Sequence, residues 1–387
     1  MLKHSFSLLL LSVFLFAACR KEIIETPTIL ANSVVQPEGD VTRTVLVALT
    51  LNVPSAKEVR VDYATTNGTA FAGQDYTAAA GTLVFAPGEM TQTISLSIQG
   101  DQTYEPDERF TVQFSNAVNL SLTIGAVGIN LSNDDPFIPA GGYATPLAYA
   151  GKSLVWSDEF DGSTLDTDAW TFEIGNGSWG WGNNELEYYQ RENTRLINGY
   201  MVIEARRENA LNFQYTSSRL LTKGKREFQY GRIDIRAALP FGQGIWPALW
   251  MLGDNIDQVG WPACGEIDIM ELVGHEPGKM YGTAHYGPDL AQHASKGAFV
   301  SLAAGEKFGD KFHVFSIEWV ENNIKWYMDD QLFFEFSKAD AGLDAYPFNH
   351  AHFLLINLAV GGNWPGNPDN STVFPQQLVV DYVRVFQ

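Results

Sequence analysis

Residues 265–272 read Gly-Glu-Ile-Asp-Ile-Met-Glu-Leu and set three carboxylates into a run of apolar, strand-forming residues. Because side chains alternate along a strand, Glu266 and Asp268 would share one face while Glu271 would point to the other. A single β-bulge between Asp268 and Glu271 adds one residue and turns all three acids to the same face. Such bulges are frequent beside active sites, where they redirect a side chain. The stretch therefore predicts a bulged strand that presents three acids together.

Carboxylates that share one strand face repel each other and raise some of their pKa values, which is costly unless the charge is used. A solvated acidic strand face is one interpretation of the stretch. The other is hydrolysis of glycosidic bonds, which needs one carboxylic acid as a proton donor and a second carboxylate as a nucleophile or base. The rest of the chain decides between the two.

The length and charge of the chain restrict its organisation and its partners. The 387 residues predict two or three domains. The 25 Lys and Arg against 45 Asp and Glu give a formal charge of −20, which argues against nucleic acid and anionic membranes as partners. A neutral polymer is a more natural substrate for such a chain than a sulfated one, and calcium is the metal that its surface suggests.

The first nineteen residues read as a signal peptide. Lys3 precedes an apolar run at 6–16 that is too short to span a bilayer, and the run ends in Ala17, Ala18 and Cys19. Small residues before a cysteine resemble a bacterial lipobox, which implies lipidation of Cys19 and anchoring to the outer membrane or cell surface. A plain secretory signal is the alternative. Cys264 is then a lone thiol, to which we assign no chemistry.

Residues 26–135 alternate apolar and polar side chains in short runs, for example at 45–49, 59–63 and 110–114. About seven short strands in a hundred residues predict a β-sandwich of immunoglobulin-like size. The segments 63–70, 73–76, 85–89 and 105–110 resemble a Calx-beta domain. The resemblance implies a calcium site, and the matching acids are Glu38, Asp75, Asp101, Glu105, Glu108, Asp134 and Asp135. Calcium prefers six to eight oxygen ligands, so such a set is chemically suitable, and a spacer without metal is the alternative.

Residues 136–150 are rich in Pro and Gly and are predicted to form a linker. From residue 151 to residue 387 a second strand-rich region follows, with few amphipathic helical patterns. Its many strands predict two stacked antiparallel sheets, one of which would curve around a groove for an extended polymer. The chain is therefore expected to be all-β, with two domains.

Several motifs of this second region appear in a characteristic order. They are WSDEFDG at 156–162, WGNNELEYY at 181–189, GIWPALWM at 244–251, the acidic stretch, and GGNWPG at 361–366. Together they resemble glycoside hydrolase family 16, in particular its laminarinase-like endo-β-1,3-glucanases. The resemblance implies a concanavalin-like β-jelly roll and a retaining reaction. By position it makes Glu266 the nucleophile, Glu271 the general acid/base, and Asp268 the residue that tunes Glu266.

Trp246 and Trp250 are four residues apart on one predicted strand and therefore face the same side. They are expected to line the sugar subsites beside the cleaved bond, and two core tryptophans are the alternative. Glu185 is expected to bond a sugar hydroxyl, unless it is a simple surface charge. The other predicted substrate contacts are Trp179, Trp181, Asn183, Arg206, His285 and Trp364. The resemblance also implies a structural calcium at Glu159, Gly199 and Asp381.

The leading hypothesis is a monomeric, exported enzyme that cleaves β-1,3-glucan internally and needs no cofactor for catalysis. A hydrolase of a galactan such as agar or carrageenan is the first alternative. A non-catalytic glucan-binding surface protein is the second, and an adhesion role of the first domain is the third. Retention of all three acids favours an enzyme, because a pure binder has no need of repelling carboxylates in its groove.

Overall fold

The computed structural model describes residues 25–342 and 346–387, which form two compact units. The first unit contains residues 25–101 and 105–134, and the second contains residues 102–104 and the described residues from 135 onward. The predicted signal peptide and Cys19 lie outside the described residues. Within the described part of the chain, no helix is long and apolar enough to cross a membrane.

The first unit is a sandwich of two small sheets. Its strands are β1 (Ile29–Leu30), β2 (Val34–Pro37), β3 (Arg43–Leu51), β4 (Val59–Thr66), β5 (Ala80–Phe85), β6 (Thr91–Ile98), β7 (Glu108–Val118) and β8 (Ala126–Ser132). One sheet has the order β1-β3-β6 and the other the order β2-β8-β7-β4-β5, with β2 and β8 parallel and all other pairs antiparallel. Alternate residues of β3, such as Val45, Val47 and Leu49, point into the core.

The second unit has eighteen strands among its described residues. They are β9 (Leu154–Asp158), β10 (Thr171–Glu173), β11 (Glu187–Tyr189), β12 (Thr194–Ile197), β13 (Tyr200–Ala205), β14 (Tyr215–Ser217), β15 (Arg219–Leu221), β16 (Glu227–Phe228), β17 (Gly231–Ala238), β18 (Ile245–Gly253), β19 (Glu266–Glu271), β20 (Lys279–Tyr286), β21 (Ala294–Ser301), β22 (His313–Val320), β23 (Asn323–Met328), β24 (Gln331–Ser337), β25 (His352–Val360) and β26 (Gln376–Phe386). The helical segments are short: a π-type turn at Gly180–Asn184, 3-10 turns at Arg191–Asn193 and Leu290–Gln292, and α1 (Ile256–Val259) and α2 (Lys338–Ala341).

Two large antiparallel sheets face each other across the core of the second unit. The first has the order β10-β15-β25-β18-β19-β20-β21, and the second has the order β12-β13-β26-β17-β22-β23-β24. Strand β16 joins the first sheet beside β25, and β9 joins the second beside β26. Leu249 and Ile267 of the first sheet pack in one cluster with Ile235 and Val383 of the second. The predicted jelly roll of two stacked sheets is confirmed.

The predicted linker at 136–150 belongs to the second unit rather than spanning free between domains. Gly142 pairs with Phe312, and the backbone N–H of Thr145 donates to the hydroxyl of Tyr382 at 2.9 Å. The Pro and Gly content of this segment excludes regular structure, but it does not exclude docking through isolated hydrogen bonds, which composition alone cannot reveal.

Candidate active site

Strand β19 carries the predicted bulge. Against β18, Leu249 pairs with Met270 and Trp250 pairs with Asp268, so Ile269 is the extra residue. The register against β20 shifts at the same place, between Asp268 and Glu271. Glu266, Asp268 and Glu271 consequently lie on one face of the sheet, and the prediction of a bulge is confirmed.

That face forms the floor of an open cleft of about 750 Å³. Alternate residues of four adjacent strands, β25, β18, β19 and β20, point into it, while the residues between them enter the core. On β20, for example, Tyr281, Thr283 and His285 line the cleft, whereas Met280 and Ala284 are buried in the core. The floor residues supplied by the neighbouring strands are Trp246, Ala248, Trp250 and Leu252 of β18 and Asn357 and Ala359 of β25.

Each of the two glutamates receives a hydrogen bond from an indole. The Nε1–H of Trp261 donates to Oε2 of Glu266 at 2.8 Å. The Nε1–H of Trp246 donates to Oε1 of Glu271 at 3.1 Å. These donors fix the orientation of each carboxyl group and leave Oε1 of Glu266 and Oε2 of Glu271 without an indole donor.

Asp268 is buried and Glu266 and Glu271 are partly buried, and desolvation dominates the electrostatics of all three acids. Burial and the neighbouring Asp268 carboxylate raise the pKa of Glu266 to about 8. Burial also raises the pKa of Asp268 to about 8, although a hydrogen bond with Glu266 opposes the shift. Burial and the charges of Asp268 and Glu266 raise the pKa of Glu271 well above its ordinary value. At neutral pH the site therefore holds protons, as a general acid requires.

Trp246 and Trp250 share the cleft face, so the alternative of two core tryptophans is wrong. The ring of Trp246 packs edge-on against Trp364 with centroids 5.6 Å apart, and Trp364 in turn contacts Tyr281 at 5.0 Å. Trp250 donates from Nε1 to Oδ1 of Asn357 at 2.7 Å. The indoles thus form a rigid wall beside the acids.

Beneath Trp250 lies a buried polar network that reaches Glu185. Asn357 donates to the hydroxyl of Tyr189 at 3.1 Å, and that hydroxyl donates to Oε2 of Glu185 at 3.1 Å. Asn183 donates to the other oxygen of Glu185, also at 3.1 Å. Because Glu185 is only 7% exposed and lines the cleft, it is not a simple surface charge.

Glu187 supports this network from the core, where it is fully buried. Its Oε2 accepts the backbone N–H of Val360 at 2.7 Å, and its carboxyl group bonds that of Glu185. Burial and the charge of Glu185 raise the pKa of Glu187 well above its ordinary value of 4.5. The raised pKa favours the protonated form of Glu187, which can donate to Glu185.

We expect Glu187→Gln to fold normally, because glutamine keeps both an acceptor for Val360 and a donor for Glu185. Glu187→Leu leaves the N–H of Val360 and the carboxyl group of Glu185 without their hydrogen-bond partner. This change is expected to reduce the free energy of unfolding by about 1–3 kcal/mol. A group whose pKa is raised on folding stabilises the folded state fully at pH values below its unfolded-state pKa. That stabilisation is lost as pH rises through the folded-state pKa. The wild type should therefore lose stability relative to Glu187→Gln as pH rises above 4.5. Urea unfolding at several pH values tests this, and a difference that does not change with pH would contradict it.

Sequence reasoning missed several cleft residues, among them Trp261, Arg219, Tyr281, His293 and Asn357. The guanidinium of Arg219 lies 4.3 Å from the ring of Trp181 and 4.9 Å from that of Trp250, and it pairs with Glu173 at 2.5 Å. Trp261 stands only five residues before Glu266, and this proximity was a usable signal. Tyr281 shares a strand face with the predicted His285, whereas Arg219 and Asn357 come from strands distant in sequence, so nothing near the acids pointed to them.

Two predicted substrate contacts lie outside the cleft lining. Trp179 is 86% exposed. Arg206 pairs through its Nε and Nη2 with Glu204, at 2.9 and 2.5 Å. The sequence could not show that Glu204, two residues earlier and on the same strand face, takes both N–H groups. The other predicted contacts, Trp181, Asn183, Glu185, His285 and Trp364, do line the cleft together with Trp246 and Trp250.

The predicted calcium ligands of the second unit are engaged by arginines. Both oxygens of Glu159 accept from Arg384, at 2.9 and 2.7 Å, and Asp381 pairs with Arg236. Among the described residues, no cluster of three potential metal ligands includes Glu159 or Asp381, and Gly199 contributes no side chain. Arginines therefore already neutralise both carboxylates, and a calcium site formed partly through backbone carbonyls, as the resemblance implies, stays a prediction.

Three of the seven acids predicted to bind calcium in the first unit do meet. Asp75, Glu105 and Glu108 each place a carboxylate oxygen within 4.8 Å of the others. Burial raises the pKa of Glu108 to about 7, helped by the hydrogen bond that protonated Glu108 donates to Asp75 and by the charges of Asp75 and Glu105. The remaining four lie outside this cluster: Glu38, Asp101, Asp134 and Asp135. Of these, Asp135 belongs to the second unit. A purely carboxylate cluster under mutual repulsion fits a hard cation such as calcium.

Comparison with known proteins agrees with the geometry. Residues 177–384 match the model of glycosyl hydrolases family 16, and residues 28–129 match that of the Calx-beta domain. The chain is 44% identical over 249 residues to the beta-glucanase of Rhodothermus marinus, covering 60% of this chain and 85% of the relative. It is 39% identical over 269 residues to glucan endo-1,3-beta-glucosidase A1 of Niallia circulans, covering 64% of this chain but only 39% of the relative.

A solved structure resembles the second unit. The laminarinase catalytic domain of Thermotoga maritima MSB8 is 50% identical, with a TM-score of 0.58, and the match covers 61% of this chain and 98% of that one. The family model spans more than half of the chain, and the Rhodothermus relative is covered over more than two thirds of its length. The chain therefore belongs to glycosyl hydrolase family 16.

Proposed function

We propose that the chain hydrolyses β-1,3-glucan internally by double displacement, with Glu266 as nucleophile and Glu271 as general acid/base. The observation that carries the proposal is the bulge in β19, which turns three acids toward one open cleft walled by indoles. An open cleft accepts an extended polymer at an internal bond, whereas indole faces suit the apolar faces of pyranose rings.

In the first step Glu266 attacks the anomeric carbon while Glu271 protonates the departing glycosidic oxygen. Trp261 holds Oε2 of Glu266, so Oε1 is the attacking atom. The attack requires ionised Glu266, which is reached when the proton shared by the two neighbouring carboxyl groups lies on Asp268. The Trp261 donor and the nearby His285 both favour the ionised form of Glu266.

In the second step Glu271, now ionised, takes a proton from water, and the resulting hydroxide attacks the anomeric carbon of the glycosyl ester. Glu266 leaves as a carboxylate, and Glu271 regains its proton. Two inversions restore the β configuration. The Trp246 donor keeps Glu271 oriented through both steps.

A neutral glucan fits the cleft better than a sulfated galactan. Among the described residues that line it, Arg219 alone is an arginine or lysine. Its guanidinium is paired with Glu173 and stacked between two indoles, so its charge is not free for a sulfate group. A sulfated polymer would meet three acids with no cation to compensate them.

The substrate is tested by reducing-sugar release from laminarin, mixed-linkage β-glucan, agarose and carrageenan, with the wild type and Glu266→Ser. We expect release mainly from laminarin, and only by the wild type. Release mainly from agarose or carrageenan would keep the mechanism but overturn the substrate. A wild type that is inert on all four yet retained by a glucan affinity gel would favour the binding protein.

We further propose that Asp75, Glu105 and Glu108 hold calcium, with oxygen as the only donor type. We expect excess calcium to raise the unfolding midpoint of the first unit, because a ligand that binds only the folded state at about a hundred times its Kd stabilises by about 2.7 kcal/mol. Calorimetry of the full chain measures this. Glu108→Gln should abolish the response, and Glu58→Gln, an exposed control, should keep it. An equal response in both variants would contradict the assignment.

We propose that the protein is exported and lipidated at Cys19. Cys19→Ala is expected to move the protein from the membrane fraction to the soluble extracytoplasmic fraction, because the variant lacks the thiol that would carry the lipid. Fractionation after labelling with a radioactive fatty acid measures this. A membrane-bound Cys19→Ala protein, or a wild type without label, would favour the plain secretory signal.

A further inference from the structure

A mixed nitrogen and oxygen cluster lies at one end of the acidic strand. Glu266, Asp268 and His285 each place one potential ligand atom within 4.8 Å of the others. Nε2 of His285 is 3.3 Å from Oδ2 of Asp268 and 4.0 Å from Oε1 of Glu266. The hydrolysis described above assigns proton chemistry to the two carboxyl groups, whereas the imidazole of His285 only favours the charge of Glu266 and takes part in no bond making or breaking.

The Asp268 side chain provides an independent indication of a ligand. It is only 2% exposed, and its Oδ2 makes no hydrogen bond of good geometry, the imidazole Nε2 of His285 at 3.3 Å being its neighbour across the gap. Buried carboxylate oxygens are rarely left without a partner, because desolvation then goes uncompensated. This oxygen is aimed at the gap that it shares with His285 and Glu266.

His293 supplies the outer support that metal-binding histidines require. Its Nε2 lies 2.9 Å from Nδ1 of His285, and the two rings are stacked with centroids 5.2 Å apart. With Nδ1–H of His285 donating to His293, Nε2 of His285 presents its lone pair to the two carboxyl groups. In metal sites a ligating histidine commonly donates its other ring N–H in this way, which fixes its tautomer.

We propose that Glu266, Asp268 and His285 form a binding site for a divalent ion of the zinc class, which inhibits the enzyme. Imidazole and carboxylate donors suit zinc, whereas calcium prefers oxygen alone. Neighbouring ligands of a tetrahedral zinc lie about 3.3 Å apart, given bonds of about 2.0 Å. The distance of 3.3 Å between Nε2 of His285 and Oδ2 of Asp268 matches this spacing. A shift of less than an ångström by Glu266 would bring its Oε1, now 4.0 Å from Nε2 of His285, to the same spacing. Solvent takes the fourth position.

Binding of the ion would occupy Oε1 of Glu266, the atom that attacks the sugar, and would displace the proton that it shares with Asp268. Inhibition should therefore compete with glucan and be reversed by a chelator. The site is distinct in donor type from the all-carboxylate cluster of Asp75, Glu105 and Glu108, so excess calcium can fill that cluster without entering this one.

The test is isothermal titration of zinc chloride into the full-length protein in excess calcium. We expect one tight event per chain in the wild type, and a loss of affinity of tenfold or more in His285→Gln. His275→Gln replaces an exposed histidine outside the cleft lining and is expected to bind as the wild type does. Zinc binding of equal affinity in His285→Gln, or no binding by the wild type, would overturn the proposal.

His293→Gln keeps the test decisive if His285→Gln does not fold, because His293 is exposed. We expect about a tenfold loss of zinc affinity, since removal of an outer partner typically costs 10–100-fold. Unchanged affinity in this variant would exclude the support described above. Because heat rather than turnover is measured, failure of the zinc site is distinguishable from failure of the proposed glucan hydrolysis.

Discussion

Glu266→Gly is expected to lower kcat on laminarin by about four orders of magnitude, because no other group can form the glycosyl ester. On an activated dinitrophenyl β-laminaribioside, added azide should restore part of the rate. With the carboxylate removed, azide enters the vacated space and attacks the anomeric carbon from the face opposite the leaving group. The product should therefore be the α-glycosyl azide, identified by its proton NMR coupling.

The matched control is Glu306→Gln, which changes an exposed glutamate outside the cleft and should leave kcat unchanged. Rescue of Glu266→Gly that yields the β-glycosyl azide would contradict the nucleophile assignment, because that product requires a glycosyl–enzyme ester to form first. Substantial residual activity on laminarin without azide would contradict it as well.

Glu271→Gly is expected to lower kcat on laminarin by about 10²–10⁴-fold, because the leaving sugar then departs without a proton. The loss should be far smaller in the first step on the dinitrophenyl substrate, whose leaving group needs no proton. Azide should accelerate turnover by attacking the glycosyl ester in place of activated water. The product should be the β-glycosyl azide, opposite to that from Glu266→Gly.

The dependence of activity on pH is a second test of the role of Glu271 as general acid. The acid must be protonated for the first step, so the activity of the wild type falls as pH rises through its pKa, which burial and the neighbouring charges place well above the ordinary value. In Glu271→Gly the alkaline limb should disappear with the dinitrophenyl substrate. Persistence of that limb would mean that another group donates the proton.

The sequence predicted the acidic strand correctly because the spacing of residues along a strand determines which face each side chain takes. Side chains alternate faces along a strand, so Asp268 and Glu271, three residues apart, would point to opposite faces. One extra residue in a bulge brings them to the same face, and Ile269 is that residue. The same counting placed Trp246 and Trp250 on one face. These features are local, and local periodicity fixes them.

Features that depend on distant partners could not be predicted in the same way. Trp261 reaches Glu266 from a loop, and Asn357 reaches Trp250 from a strand more than a hundred residues away. Arg206 was predicted to contact sugar, and its guanidinium instead donates to Glu204. The fate of a long polar side chain depends on which neighbour takes its hydrogen bonds, and sequence spacing does not record that choice.

The predicted calcium ligands also depend on neighbours that sequence spacing does not reveal. Acids matched by resemblance were predicted at seven positions of the first unit, and three of them converge. In the second unit Glu159 and Asp381 are both held by arginines of the same sheet. A count of carboxylates therefore overestimates metal ligands, because it ignores the cations that compete for them.

The most direct measurement of the central claim is proton NMR of the anomeric signal in the first minutes of laminari-oligosaccharide hydrolysis, before mutarotation. Double displacement through Glu266 predicts that the new reducing end appears first as the β-anomer and equilibrates to α afterwards. Initial appearance of the α-anomer would mean single displacement by water. Glu266 would then be a base rather than a nucleophile, and the account would be wrong.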